Sequence, residues 1–112
     1  MNLPDTRTLL LAFDKGVLRV TLNRPDARNA LNLDMIADLN RVFDLCQQST
    51  EVRALILRGA GGHFCAGADL KEMMAGGMKQ AVAGAADPVV TFSRSFGSML
   101  RSVGRIPAVV IA

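Results

Sequence analysis

The sequence contains neither tryptophan nor tyrosine, and five phenylalanines are its only aromatic residues among 112. Any core is therefore aliphatic, built from Ala, Val, Leu and Met. A nucleic-acid surface would need a basic stripe interleaved with aromatic rings. Here the 13 Lys and Arg are scattered along the chain and nearly balanced by 10 Asp and Glu, for a net charge of +3. That pattern fits a solvated surface, with a few positions free to meet a polyanionic small molecule. The single histidine, His63, rules out a His-rich metal site. Cys46 and Cys65 have neither CxxC nor metal-site spacing and read as reduced thiols, one on a helix and one in a loop. No uninterrupted apolar run approaches the ~18 residues of a membrane span. The N-terminus carries Asp5 and lacks a basic segment followed by an apolar run, so no secretory signal is read. The expected location is cytoplasmic or a similarly reducing compartment.

What is present is half apolar and organised. Residues 8–13 form a short apolar run, and Leu18, Val20 and Leu22 alternate onto one face of residues 16–22. Asp14-Lys15-Gly16 between them supplies a turn, so the two runs predict an antiparallel hairpin. Pro25 breaks the second strand, because it cannot donate to a sheet ladder. Asn29 or Asn32 then caps a helix reaching about Gln48, with Leu31, Met35, Leu39, Val42, Phe43 and Cys46 on one side. Asp34, Asp38, Asn40 and Arg41 are expected on its solvent face. Residues 53–58 read as a strand buried on both faces and stopped by Gly59. A glycine-rich loop and a helix starting at 70–74 follow, with Lys71 and Glu72 outward. Residues 75–87 are weakly patterned and are expected to form a mobile surface segment. A last helix starts near Pro88, carries Phe92, Phe96, Met99, Leu100 and Val103, and ends at Gly104 and Pro107. Residues 108–112 begin a buried strand. The chain stops inside that strand without a polar cap, so it is expected to be part of a longer protein.

The segment with the most chemical potential is His63-Phe64-Cys65-Ala66-Gly67-Ala68-Asp69-Leu70, between a strand and a helix. Gly67 permits a sharp turn and close approach of a ligand. Asp69 can accept hydrogen bonds from backbone N–H groups at the start of the helix. The Ala68 amide is then at the positive end of that helix, free to donate to an oxygen. Two such donors form an oxyanion hole, and one is half of it. On physical grounds alone an ordinary strand–loop–helix connection is the simpler account. Met73, Met74 and Met78 fit either an acyl pocket or helical packing. Phe92 and Phe96, four apart, fit the core. His63 reads as an exposed or hydrogen-bonded residue rather than a base, and Cys65 has no second histidine to activate it.

Residues His63 to Met73 resemble the CoA-thioester loop of the crotonase superfamily, the enoyl-CoA hydratase/isomerase fold. Leu22-Asn23-Arg24-Pro25 followed by Arg28-Asn29-Ala30-Leu31 is similar to that family's first signature. Segments 53–59 and 106–112 sit in its order and spacing, so the resemblance covers almost the whole chain. It implies an α/β fold, a crotonase-like spiral of ββα units, of which residues 1–112 are the N-terminal part of one domain. It also implies a lyase of fatty-acid metabolism that hydrates trans-2-enoyl-CoA, with isomerisation or hydrolysis possible on the same scaffold. The backbone N–H of Ala68 would be the first oxyanion donor. Backbone groups around Ala66 and Leu70 would contact the adenine of CoA, and Asp69 would belong to the same binding loop. Lys71 or Arg28 would meet the phosphates, unless each is simply a solvated charge.

No metal and no cofactor is implied beyond coenzyme A as part of the substrate, and no nucleic-acid or membrane partner. A full-length member would be a homotrimer or hexamer. By the same resemblance, the second oxyanion donor and the acid/base glutamates follow the strand that begins at Ala108. Glu51 and Glu72 match none of those positions. The chain alone is expected not to hydrate its substrate. A non-catalytic CoA-binding or assembly module, or an inactive remnant, is the alternative.

Overall fold

A computed structural model describes residues 1–69, 71–72 and 88–112, the side chains of 88–91 excepted. Lys15 and Gly16 have φ of 50° and 84°, the hand of backbone that lets a two-residue turn join antiparallel strands. They link β1 (Leu9–Asp14) to β2 (Val17–Leu22), paired from Leu9↔Leu22 to Asp14↔Val17. Asp14 thus completes the first strand instead of belonging to the turn. A 3-10 turn, Pro25–Ala27, leads toward α1 (Leu33–Gln48). Of the two candidate caps it is Asn32 that acts, its side-chain oxygen accepting from the Met35 N–H at 2.9 Å. β3 (Ala54–Gly59) lies parallel to β2, followed by a short turn, Ala60–Gly62. Then come α2 (Pro88–Gly104) and β4 (Val109–Ile111), which is parallel to β3. The sheet order is β1-β2-β3-β4. Residues 71–72 are helical. The expectations for Leu70, for Met73, Met74 and Met78, and for a mobile segment over 75–87 lie outside the described residues.

The core joins one face of the sheet to both helices. Leu18, Val20 and Leu22 of β2 and Leu55 of β3 meet Met35, Ile36, Leu39, Val42, Phe43 and Cys46 of α1 and Phe92 and Met99 of α2. Phe92 and Phe96 stack with ring centroids 6.2 Å apart. The expectation that β3 is buried on both faces is corrected. Leu55 is fully buried, but Ile56 is only half-buried, because its register partner Arg19 is exposed on the side away from the helices. β4 is likewise not a buried strand: Val109 is 63% and Ile111 52% exposed. Both point away from the core, toward which only the half-buried Val110 turns.

Asp38 also departs from the sequence reading. It sits at 3% exposure rather than on the solvent face of α1. The N-terminal segment crosses the helix there, and the carboxylate accepts from the Thr8 hydroxyl (2.7 Å), the Thr8 amide (2.9 Å) and the Arg7 amide (3.0 Å). Arg41 lies 2.5 Å from its other oxygen. Burial pushes the Asp38 pKa up, but these donors and the Arg41 charge together outweigh it and leave it below the ordinary value. A carboxylate with a depressed folded pKa contributes stability above its unfolded value, near 3.8 here, and loses it as pH falls through the folded one. Urea unfolding midpoints should therefore drop below about pH 4 in the unmodified protein, and drop less in Asp38→Asn. At neutral pH, Asp38→Ala should cost about 3 kcal/mol, since it strands buried donors. A pH-independent midpoint with unchanged Asp38→Ala stability would contradict this role.

Candidate functional site

Because β2 and β3 are parallel and their pairing ends at Leu22↔Gly59, the loops after both strands leave the sheet side by side. Ligands of open α/β sheets gather at such carboxyl ends. Asn29 ties the two loops together. It is fully buried with φ of 58°, a left-handed conformation that Asn tolerates better than most residues. Its side-chain amide donates to the carbonyls of Ala60 (2.9 Å) and His63 (2.8 Å), and its side-chain oxygen accepts from the Arg24 N–H at 2.8 Å. Gly59 makes the close contact possible. A Cβ there would lie 1.9 Å from the His63 carbonyl oxygen and 2.5 Å from that of Phe64.

Beyond this latch the second loop runs along the first. The Ala66 N–H donates to the Arg28 carbonyl (3.1 Å), the Leu31 N–H to the Gly67 carbonyl (2.7 Å), and the Asp69 N–H to the Leu31 carbonyl (2.7 Å). These bonds make a parallel bridge between Leu31 and Ala68. In a parallel bridge the flanking residues bond to the partner, so Ala68's own N–H faces the other way. Ala68 is exposed, and no acceptor is paired with its N–H among the described residues. Gly67, at φ of 96°, makes the turn that presents it.

A polar network holds the far side of the loop. The Arg24 guanidinium donates to the Ala30 carbonyl and reaches both Asp69 and Glu72 at 3.0 Å. Asp69 accepts from the Glu72 N–H at 3.0 Å, the helix-start bond expected of it. That bond, reinforced by Arg24 against the opposing effect of burial, holds the Asp69 pKa below its ordinary value. Glu72 is not simply outward: Asn32 donates to its other oxygen at 2.9 Å. Cys65 accepts a weak bond from the Gly67 N–H at 3.4 Å, and both cysteines are free thiols.

Two hollows meet at Ala68. One, of about 690 Å³, is an open cleft lined by the charged side chains of Arg24, Asp26, Asp69, Lys71 and Glu72 and by Ala27, Ala30 and Ala68. The other, of about 620 Å³, is apolar and lies between sheet and helices, bounded by Leu22, Leu31, Phe43, Phe64, Phe92 and Phe96 among others. Ala68 is the one residue common to both linings. Of the residues singled out in the sequence, Ala68, Asp69 and Lys71 come together there, while Arg28 and Ala66 line neither hollow. Arg28 instead contributes its carbonyl to Ala66, with its side chain exposed. Leu70 lies outside the described residues. Arg24, Asn29 and Asn32 were not read as a site. Their sequence signals were the place of Arg24 and Asn29 within one signature and the helix-capping character of Asn29 and Asn32.

Residues 12–112 match the family model described as Enoyl-CoA hydratase/isomerase. The chain belongs to the enoyl-CoA hydratase/isomerase family. Its fold is the corresponding part of a crotonase fold. AtuE of Pseudomonas aeruginosa superposes with a TM-score of 0.80 at 47% identity, over 93% of this chain and 38% of that one. A putative enoyl-CoA hydratase from Streptomyces coelicolor A3(2) gives 0.81 at 34% identity, over 98% of this chain and 38% of the other. Among curated enoyl-CoA hydratase/isomerase relatives, the 1,2-epoxyphenylacetyl-CoA isomerase of Escherichia coli K12 is 32% identical over 92% of this chain and 38% of its own length. The probable enoyl-CoA hydratase EchA14 of Mycobacterium tuberculosis is 43% identical over 61% of this chain and 27% of its own length. The chain thus spans 27% to 38% of these two curated relatives.

The latch makes a direct prediction for this family member. Gly59→Ala and Asn29→Ala should each destabilise the fold by about 3 kcal/mol, through backbone overlap in the first and stranded carbonyls in the second. Chemical denaturation measures both. Wild-type midpoints in either variant would show that the two loops do not depend on this contact.

Proposed function

We propose that this chain is the thioester-gripping, N-terminal portion of an enoyl-CoA hydratase, with the Ala68 N–H as one of the two oxyanion donors. The observation that supports this most is the position of Ala68 where a cleft lined by charged side chains meets an apolar cavity. A CoA thioester has the same layout: a polyanionic head, a polar carbonyl, then an apolar acyl chain. An acyl chain in the apolar cavity and a pantetheine arm in the cleft bring the carbonyl to the Ala68 amide. Lys71, exposed at the cleft, is available to the phosphates.

Adding water across a trans-2-enoyl double bond places negative charge on the thioester oxygen in an enolate-like state. A fixed N–H directed at that oxygen stabilises the charge as it forms, with little reorganisation. Proton transfer needs a general base and acid. Asp69 and Glu72 are engaged by Arg24 and do not serve. In a polypeptide as long as the relatives, later segments supply the glutamates and the second donor. Isomerisation is the second reading, favoured by the E. coli isomerase match over 92% of this chain.

Calorimetric titration of the protein with acetyl-CoA should give measurable heat, and no heat at millimolar ligand would count against the reading. In a form that turns over, Ala68→Pro removes one N–H and should lower hydration of crotonyl-CoA by about 10²–10³-fold. An unchanged rate in a folded variant would overturn the assignment of that donor.

A further inference from the structure

The Ala68 N–H is useful only if its direction is fixed, and the residues that fix it are not those of the loop alone. The backbone on either side of Ala68 is held by Leu31, through the Gly67 carbonyl and the Asp69 N–H, both at 2.7 Å. Leu31 is in turn preceded by Ala30, whose carbonyl accepts from Arg24. The same guanidinium meets the Asp69 and Glu72 carboxylates, each at 3.0 Å. One planar cation therefore bonds both strands of the bridge, on the residue before Leu31 and on the residue after Ala68. Its side chain is 19% exposed and that of Asp69 13%, so this contact is shielded from water.

We propose that Arg24 is the positioning residue of the oxyanion loop, its guanidinium clamping Ala30, Asp69 and Glu72 so that the Ala68 N–H is directed at the junction of the two hollows. This deepens the proposed function and rests on that reading of Ala68. Arg24 has two further features suited to the task. Its fork of donors matches several oxygen acceptors at fixed angles, which an ammonium group does not. Its charge also offsets part of the carboxylate charge of Asp26, Asp69 and Glu72 in the cleft proposed to take a polyanionic ligand. Without Arg24, Asp69 and Glu72 would face each other and repel that ligand. Asp69 would keep the bond from the Glu72 amide but lose the bond and the charge of Arg24, and its pKa should rise.

The test uses the whole protein with butyryl-CoA carrying ¹³C at the thioester carbonyl, read by infrared difference spectroscopy. In the unmodified protein the bound carbonyl stretch should shift down from its value in solution, and Ala68→Pro should abolish the shift. Arg24→Met should bind about tenfold more weakly, because the cleft loses a cation and keeps its carboxylates. It should lose most of the downshift at saturating ligand while circular dichroism stays native. Arg24→Lys, which keeps the charge but not the fork, should recover affinity more than downshift. If Arg24→Met does not fold, Asp69→Asn is read instead and should lose part of the downshift.

Folded Arg24→Met or Asp69→Asn protein with a wild-type downshift would overturn the positioning role while leaving the Ala68 donor standing. A wild-type downshift in Ala68→Pro would instead overturn the donor. Absence of butyryl-CoA binding to the unmodified protein would overturn both.

Discussion

Three hydrogen bonds made by the buried Asn29 side chain hold this part of the molecule together. Two of them join the segment after β2 to the segment after β3, where the parallel register leaves two loops with no ladder to satisfy them, and the third, from the Arg24 N–H, ties the first segment to itself. Both acceptors in the second loop are backbone carbonyls that would otherwise be left without partners near the core. A buried amide in such a place is costly unless fully bonded, and specific when it is. Gly59 is the matching constraint, since any side chain there would occupy the space of the His63 and Phe64 backbone. With the loops docked, the Leu31–Ala68 bridge follows. The outward N–H of Ala68 then follows from parallel-bridge geometry.

The site is therefore made mostly of backbone, and its side chains hold it in place. Arg24, Asn29 and Asn32 make no direct appeal to a reacting group in this arrangement, yet each bonds across from the first loop to the second or to its helix. This explains why the chemistry can be concentrated at an alanine. An alanine offers an N–H and little else, which suits a position between a charge-lined cleft and an apolar cavity. The aliphatic composition has a related use: Leu22, Leu31 and Phe92 belong to the core and also wall the apolar hollow, so packing and ligand volume share the same side chains.

Local pattern in the sequence was enough to place every described strand and both long helices, because alternation and helical spacing report which face is apolar. The family signatures were legible too, and of the residues they singled out Ala68, Asp69 and Lys71 line one cleft. What stayed hidden depends on partners far along the chain. Asn29 and Asn32 both precede an apolar run and look alike as caps. Only contacts 31 and 34 residues away distinguish the buried latch from the helix cap. Asp38 falls on the polar side of the helical pattern, and nothing local shows that Arg7 and Thr8 cross over it. Arg24 reads as a surface charge until Asp69 and Glu72, 45 and 48 residues later, are brought to it. The half-exposed Ile56 and the exposed Val109 and Ile111 correct an inference from composition alone, since apolar strand residues are buried only where something covers them.

The central claim is that this scaffold aims one backbone donor at a thioester carbonyl. A crystal structure of the protein with butyryl-CoA tests it most directly. The account predicts the carbonyl oxygen about 2.7–3.1 Å from the Ala68 nitrogen, with the acyl chain in the apolar cavity and the pantetheine arm leaving through the cleft of Arg24 and Asp69. A ligand ordered elsewhere, or bound here with its carbonyl turned from an Ala68 N–H that bonds to the protein, would contradict it.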